Sequence, residues 1–140
     1  SVVICARNEY YNLEKYLPKV LEQDYPDFEV VVVNDRSEDD SIFLLNQMKQ
    51  KYPHLSVIDF KQELNFFKGK KFPLSVGIKS AKNEIVLLTD ADCYPTSDKW
   101  ILQMASKFDE ETEIVLGYGA YEEGKGLLNH VIRYDRKPST

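Results

Sequence analysis

The sequence predicts an α/β domain, a mostly parallel sheet with helices on both faces, and three observations carry that expectation. Apolar runs without helical period alternate along the chain with segments whose apolar residues recur every three to four positions. The strand-like runs are aliphatic at successive positions rather than at every second one, the pattern of strands covered on both faces. Several of these runs end in polar or charged residues, so charge collects at one edge of the sheet.

Taken in order, Val2-Val3-Ile4-Cys5-Ala6 behind Ser1 is β-branched and is read as the first buried strand. After the polar Arg7-Asn8-Glu9, the residues Leu13, Tyr16, Leu17, Val20 and Leu21 fall on one stripe and predict a helix over 12–23. Pro18 removes a backbone donor inside it, so a kink or a late start is expected. Tyr25-Pro26 closes the segment, and residues 28–34 form the clearest strand, ending in Asn34-Asp35-Arg36-Ser37. Ser37 with Asp40 has helix-capping spacing, and Ile42, Leu45 and Met48 supply the buried face of the helix that follows. Tyr52-Pro53 ends that helix before a third strand over Leu55–Phe60.

Residues 61–71 are irregular and lysine-rich, with Lys61, Lys68, Lys70 and Lys71 around Gly69. Pro73 opens a third helix, and Leu74, Ile78 and Ala81 form its apolar side. Ile85-Val86-Leu87-Leu88 is the fourth strand, expected to be buried on both faces and to deliver Asp90 and Asp92 to solvent. Thr96 or Ser97 caps a fourth helix carrying Trp100, Ile101, Met104 and Phe108, and a fifth strand is expected over 113–120. Beyond Tyr121, Gly124 and Gly126 make a link, and Leu127, Leu128, Val131 and Ile132 return at helical spacing. The expected organisation is one domain over 1–140, a strand-helix core over 1–120 and an amphipathic tail over 121–140 whose apolar face would drive self-association if left uncovered.

Composition bounds the function. A chain of 140 residues is the size of one domain, and 43% hydrophobic with 29% charged residues excludes wholesale disorder. A net charge of -5 gives no overall attraction to a polyanion, so nucleic acid is not an expected partner. Cys5 and Cys93 have no metal-ligand spacing and are read as free thiols, which points to a cytoplasmic, reducing setting. No run approaches the roughly 18 to 20 apolar residues of a membrane span, and no signal peptide is recognised. The chain opens at Ser1 on an apolar run without an initiator methionine, so a piece of a longer protein is expected.

In an open sheet of this kind, ligands sit beyond the carboxyl ends of the strands, where the strand order reverses. That edge collects Arg7-Asn8-Glu9, Asn34-Asp35-Arg36-Ser37 and Asp90-Ala91-Asp92, with the lysine loop leading in. Asp90 and Asp92 are two apart and in extended backbone point the same way past the small Ala91, a seat for one divalent cation; an ordinary polar turn is the alternative. Carboxylates facing a hard cation beside a lysine or arginine suit a metal-bound diphosphate. By default the lysines are a solvated loop, Arg7 and Glu9 a surface pair, and Trp100, Tyr118 and Tyr121 packing aromatics. His54 and His130 have no second ligand nearby and are assigned no metal.

Four pieces in register, Val2 to Glu9, Val31 to Ser37, Gly69-Lys70 leading to Leu74 and Gly77, and Leu87-Leu88-Thr89-Asp90-Ala91-Asp92, resemble the family 2 glycosyltransferases over nearly the whole chain. The resemblance implies a GT-A type, Rossmann-like nucleotide-diphospho-sugar transferase fold. It also implies inverting transfer of a sugar from a nucleotide-sugar donor, a UDP-sugar first among them. On that resemblance Asp35 meets the base, while Ala6, Arg7 and Glu9 line the nucleoside pocket. Lys70 lies near the nucleotide and Asp90 near the ribose, and Asp92, together with Asp90, binds Mn2+ or Mg2+ bridging the diphosphate. The acceptor, a glycan or a lipid-linked one, is not identified. Many relatives are tethered to membranes and build cell-surface glycans from the cytoplasmic side, so a parent protein at that face of the membrane is expected.

Where the family often carries two small residues after Lys70, Lys71 and Phe72 stand here, followed by Pro73. The family's catalytic base, an acidic residue downstream of the Asp-x-Asp, has no counterpart before Thr140, since Glu122, Glu123 and Asp135 read as solvated surface residues. The base is therefore expected beyond Thr140, and a donor-binding piece without turnover is the alternative function. A nucleotidyltransferase would want a glycine-rich loop after the first strand, where Arg7-Asn8-Glu9-Tyr10 has no glycine; the same lack removes the Gly-x-Gly-x-x-Gly dinucleotide fingerprint. A phosphotransferase of the haloacid dehalogenase type would want its Asp-x-Asp after the first strand rather than the fourth.

Overall fold

The structure, a computed structural model, describes residues 1–61 and 69–120. Four strands form one parallel sheet: β1 (Val2–Ala6), β2 (Val30–Asp35), β3 (Leu55–Phe60) and β4 (Leu87–Asp90), in the order β3-β2-β1-β4. Helices α1 (Tyr10–Leu21), α2 (Ser41–Lys51) and α3 (Lys71–Ser80) connect the strands, and α4 (Trp100–Ala105) follows β4. The chain steps outward from β1 through β2 to β3, then crosses to the other side of β1, so the strand order reverses between β1 and β4. The chain divides into two compact units, Ser1–Gln103 and Met104–Thr140, and the sheet belongs to the first.

Strand side chains alternate between faces, and here both faces are covered. Val2, Ile4 and Ala6 of β1 and Val30 and Val32 of β2 pack with Leu13, Leu17, Val20 and Leu21 of α1 and Leu44 and Leu45 of α2. Val3, Val31 and Val33 face the other way, against Leu74 of α3. This double cover is why four consecutive valines make a strand and not a surface ribbon. On the α3 side the approach is close: a Cβ at Gly77 would stand 2.6 Å from Val3 Cγ1 and 2.9 Å from Val33 Cγ2.

Several local expectations are corrected. Pro18 does not delay α1, which runs from Tyr10 to Leu21. Burial of Leu13, Tyr16, Leu17, Val20 and Leu21, at about 1.5–3 kcal/mol each, outweighs the roughly 3 kcal/mol of an interior proline. The second helix begins at Ser41 with Asp40 at its N-cap, because the Ser37 hydroxyl is engaged elsewhere; its deepest apolar side chains are Leu44 and Leu45, with Ile42 only half-buried. Helix α3 starts at Lys71, two residues before Pro73, which is tolerated because first-turn N–H groups have no intrahelical partner. Helix α4 starts at Trp100 and ends at Ala105, short of Phe108, and Ser97 turns its hydroxyl to the Lys99 N–H instead of capping the helix.

The fourth strand is not buried on both faces: Leu88 is 48% exposed, because β4 pairs with β1 alone among the described residues. It also ends on Asp90 instead of before it. Residues 113–120 form no strand, since β-propensity yields one only where a neighbour offers a ladder, and Ile114 and Leu116 are exposed. The amphipathic tail over 121–140, with the self-association expected of it, and much of the lysine loop lie outside the described residues. Among the described residues no helix is long and apolar enough to cross a membrane.

Candidate functional site

The loops leaving β1 and β2 are stitched to one another. Asn8 and Arg36 follow their strands with the same left-handed φ of 55°, a conformation that asparagine tolerates better than most residues. The Asn8 N–H donates to Ser37 Oγ at 2.9 Å, and Asn8 Oδ1 accepts from the Glu38 N–H at 2.7 Å. The Ser37 hydroxyl in turn donates to Oδ1 of the buried Asn34, whose amide nitrogen donates to Asp59 on β3. Asp39 accepts from the Tyr10 N–H at 3.0 Å and from the Ser41 N–H at 3.1 Å, joining the starts of α1 and α2. Burial alone would push the Asp39 carboxyl up, but donors from Ser41 and Tyr10 hold it below the usual range.

On this frame Asp35 ends β2 with its carboxylate gripped by Arg36, at 2.8 Å from Nε and 3.2 Å from Nη2. Across β1, Asp90 ends β4 level with Cys5, and Lys70, at the N-cap of α3, reaches Asp90 Oδ1 with Nζ at 3.4 Å. Gly69 at φ +87° makes the turn that presents Lys70. A cavity of about 150 Å³ lies here, lined by Cys5, Lys70, Leu74, Leu88, Thr89 and Asp90. Burial raises the Cys5 thiol to about 11; the Lys70 charge opposes the rise, and Asp35 and Asp90 add to it. One sulfur thus feels the three charged side chains that the sequence assigned to a single ligand.

Asp90 and Asp92 converge by a different route from the one expected. They do not share a face of an extended strand: β4 stops at Asp90 and the chain turns, with the Cys93 N–H bonded to the Asp90 carbonyl at 3.2 Å. Ala91 leaves no space for a ligand; it is buried in the core. The turn leaves Asp90, Asp92 and Cys93 exposed, with potential ligand atoms within 4.8 Å of one another. The two carboxylates suit a hard cation such as Mn2+ or Mg2+. Burial, followed by the Asp92 and Asp90 charges, raises the Cys93 thiol.

Of the remaining candidates, Ala6 is buried in the core with residues of α1. Arg7 is exposed, while Glu9 accepts from Asn12 Nδ2 at 2.6 Å in place of pairing with Arg7. Trp100 packs against the core, and His54 Nε2 lies 3.0 Å from the Leu21 carbonyl between Phe28 and Tyr52, so both are structural. The stitching by Asn8, Ser37 and Asp39 was missed; the available signal was an asparagine two residues after one strand and a serine two residues after its neighbour.

A model of the family described as glycosyl transferase family 2 matches residues 1–138. A poly(ribitol-phosphate) beta-glucosyltransferase of Bacillus spizizenii is 30% identical over 129 residues, covering 91% of this chain and 20% of that protein. The poly(ribitol-phosphate) beta-N-acetylglucosaminyltransferase TarS of Staphylococcus aureus is 36% identical over 107 residues, 72% of this chain and 18% of that one. Among solved structures, the mannosyltransferase PcManGT of Pyrobaculum calidifontis in complex with GDP-Man and Mn2+ matches with a TM-score of 0.67 and 28% identity, over 74% of this chain and 30% of that chain. S. aureus TarS 1-349 in complex with UDP-GlcNAc matches at 0.64 and 29% identity, over 75% and 29%. The chain thus spans 20% of the first of these curated relatives and 18% of the second. With the family model running through both strand ends that carry the carboxylates, and the fold shared with two nucleotide-sugar complexes, this chain belongs to glycosyl transferase family 2 and has its GT-A type fold.

Proposed function

We propose that this chain is the donor-binding domain of an inverting glycosyltransferase that takes its sugar from a nucleotide diphosphate, a UDP-sugar, with Mn2+ or Mg2+. The observation that carries this reading is the meeting of Lys70, Asp90 and Asp92 where the strand order reverses. A cation bound there would act as a Lewis acid on the diphosphate as the sugar departs. Asp90 and Asp92 supply its oxygen ligands, and Lys70 exchanges Asp90 for a phosphate oxygen, so its charge follows the anion. On the far side of β1, Asp35 accepts a hydrogen bond from the base, its carboxylate held at a fixed angle by Arg36. PcManGT with Mn2+ and TarS with UDP-GlcNAc support a metal and a uridine donor. The acceptor site and the carboxylate that activates the acceptor hydroxyl would lie outside this chain, in keeping with the fraction of its relatives that it spans.

The test is titration of UDP into the wild-type chain and Asp92→Ala, with and without Mn2+. Wild type should bind UDP more tightly with the metal, and Asp92→Ala should lose that gain; undiminished metal dependence in Asp92→Ala overturns the assignment. The same coverage favours a second reading for the chain alone, binding without turnover. Tight UDP-GlcNAc binding without UDP release in the presence of acceptor glycans would support it, and acceptor-stimulated release would exclude it.

A further inference from the structure

Asp92 sits in a stretch, residues 91–99, that forms neither helix nor strand. Even so, the stretch is held on both sides of the exposed Asp92-Cys93 pair. Ahead of it, Ala91 is buried in the core. Behind it, the Tyr94 ring stacks on Tyr16 of α1, centroids 4.7 Å apart and planes 15° from parallel. Lys19 Nζ stands 3.8 Å from the centre of the Tyr94 ring, and Lys15 Nζ covers Tyr16 at 4.7 Å. Tyr16 and Lys19 share a face of α1, and Gln23 follows two residues after the helix ends at Leu21.

Gln23 is 7% exposed, and a buried amide is costly unless its groups are bonded. Its side-chain nitrogen donates to the Ser97 carbonyl at 2.8 Å and to the Lys19 carbonyl at 3.0 Å, and its oxygen accepts from the Ile101 N–H at 3.1 Å. Ile101 is in the first turn of α4, where the N–H has no partner within the helix, so Gln23 caps α4 from the loop that follows α1. Next to it the Asp24 N–H donates to the Asp98 carbonyl at 2.8 Å, and the Asp24 carboxylate pairs with Lys99.

We propose that this face of α1 is a clamp, with Tyr94 as a positioning residue gripped by Tyr16 and Lys19 and with Gln23 anchoring the segment behind it, and that the clamp sets Asp92 for the metal before the donor arrives. The proposal rests on the reading of Asp90 and Asp92 as metal ligands. Without the clamp, the cation would have to order residues 92–99 on binding, and its affinity would fall while the nucleoside side of the site stayed intact.

The test is calorimetric titration of MnCl2 alone into this 140-residue chain, with uridine binding in the absence of metal as the second readout. Tyr94→Ala should weaken Mn2+ about tenfold, the lower end for loss of a partner that orients a metal ligand, and leave uridine affinity unchanged, while Tyr94→Phe, which keeps the stack, should match wild type. If Tyr94→Ala does not fold, Lys19→Met at an exposed position carries the test, with about a two- to fivefold loss expected from the missing cation–π contact. Wild-type Mn2+ affinity in Tyr94→Ala, or in Lys19→Met where that variant stands in, overturns the clamp. Wild-type Mn2+ affinity in Asp92→Ala overturns instead the metal-site reading beneath it, and the two failures are told apart by that variant.

Discussion

Lys70→Met separates two roles that one side chain plays at this site. In the structure Lys70 Nζ lies 3.4 Å from Asp90 Oδ1, and both side chains are exposed. Two unit charges at that distance attract by about 1 kcal/mol in a water-like dielectric, and exposed pairs contribute roughly 0.2–1 kcal/mol once entropy and screening are included. A cation taking Asp90 as a ligand must share the carboxylate with Lys70 or displace it, and in either case meet its charge. Removing the ammonium should therefore tighten binding of Mn2+ alone, by about fivefold at most, the equivalent of that upper figure. For the diphosphate the sign reverses: a charge-assisted hydrogen bond of about 1.5–3 kcal/mol is lost, so UDP at saturating Mn2+ should bind at least about tenfold more weakly. Calorimetry on both ligands at 0.1 M salt is the assay, and the Mn2+ gain should shrink at 1 M salt as screening removes the repulsion. Weaker Mn2+ binding in Lys70→Met, or UDP affinity left at the wild-type level, would refute the reasoning.

Asp35→Asn should weaken uridine binding about fivefold, as a neutral acceptor replaces a charged one, leaving Mn2+ affinity as in wild type; parallel losses would show that the two halves of the site are not separate. Gly77→Ala should lower the urea midpoint at constant m-value, because crowding Val3 and Val33 costs about 1–3 kcal/mol against about 1 kcal/mol of helix propensity gained; a raised midpoint would mean that α3 can slide. Asp39→Asn should destabilise by about 1 kcal/mol at pH 7, because a charged group whose two oxygens both accept from backbone N–H groups becomes a neutral amide with one acceptor. Because the folded Asp39 carboxyl lies below its ordinary 3.8, the wild-type advantage should be complete above 3.8 and disappear as pH falls through the folded value. Equal melting temperatures of the two proteins at pH 7 would count against the stitching role of Asp39.

Much of the fold could be read directly because it depends on local chemistry. Consecutive valines at 30–33 can only be satisfied by cover on both faces, and the stripe from Leu13 to Leu21 needs one apolar neighbour, so a strand and a helix follow whatever their partners are. Residues 113–120 show where that reasoning stops, since an aliphatic run has strand propensity but no ladder of its own. Pro18 shows the converse: its local penalty is set against burial that appears only when α1 packs on the sheet.

The amino-acid order by itself determined the types of the four strands and four helices that form, the two covered faces of the sheet and the edge at which Asp35, Lys70, Asp90 and Asp92 gather. Those follow from side-chain period and backbone preference, which act over a few residues. Only the tertiary structure decided that β4 pairs with β1, that Arg36 rather than Lys70 holds Asp35, and that Ala91 is core while Asp92 is exposed. It also decided that Gln23 caps a helix beginning 77 positions further on, at Trp100. The physical reason is range: choosing an ion-pair or hydrogen-bond partner is a competition of distances between segments remote in sequence, and those distances exist only once the two apolar faces have closed on the sheet.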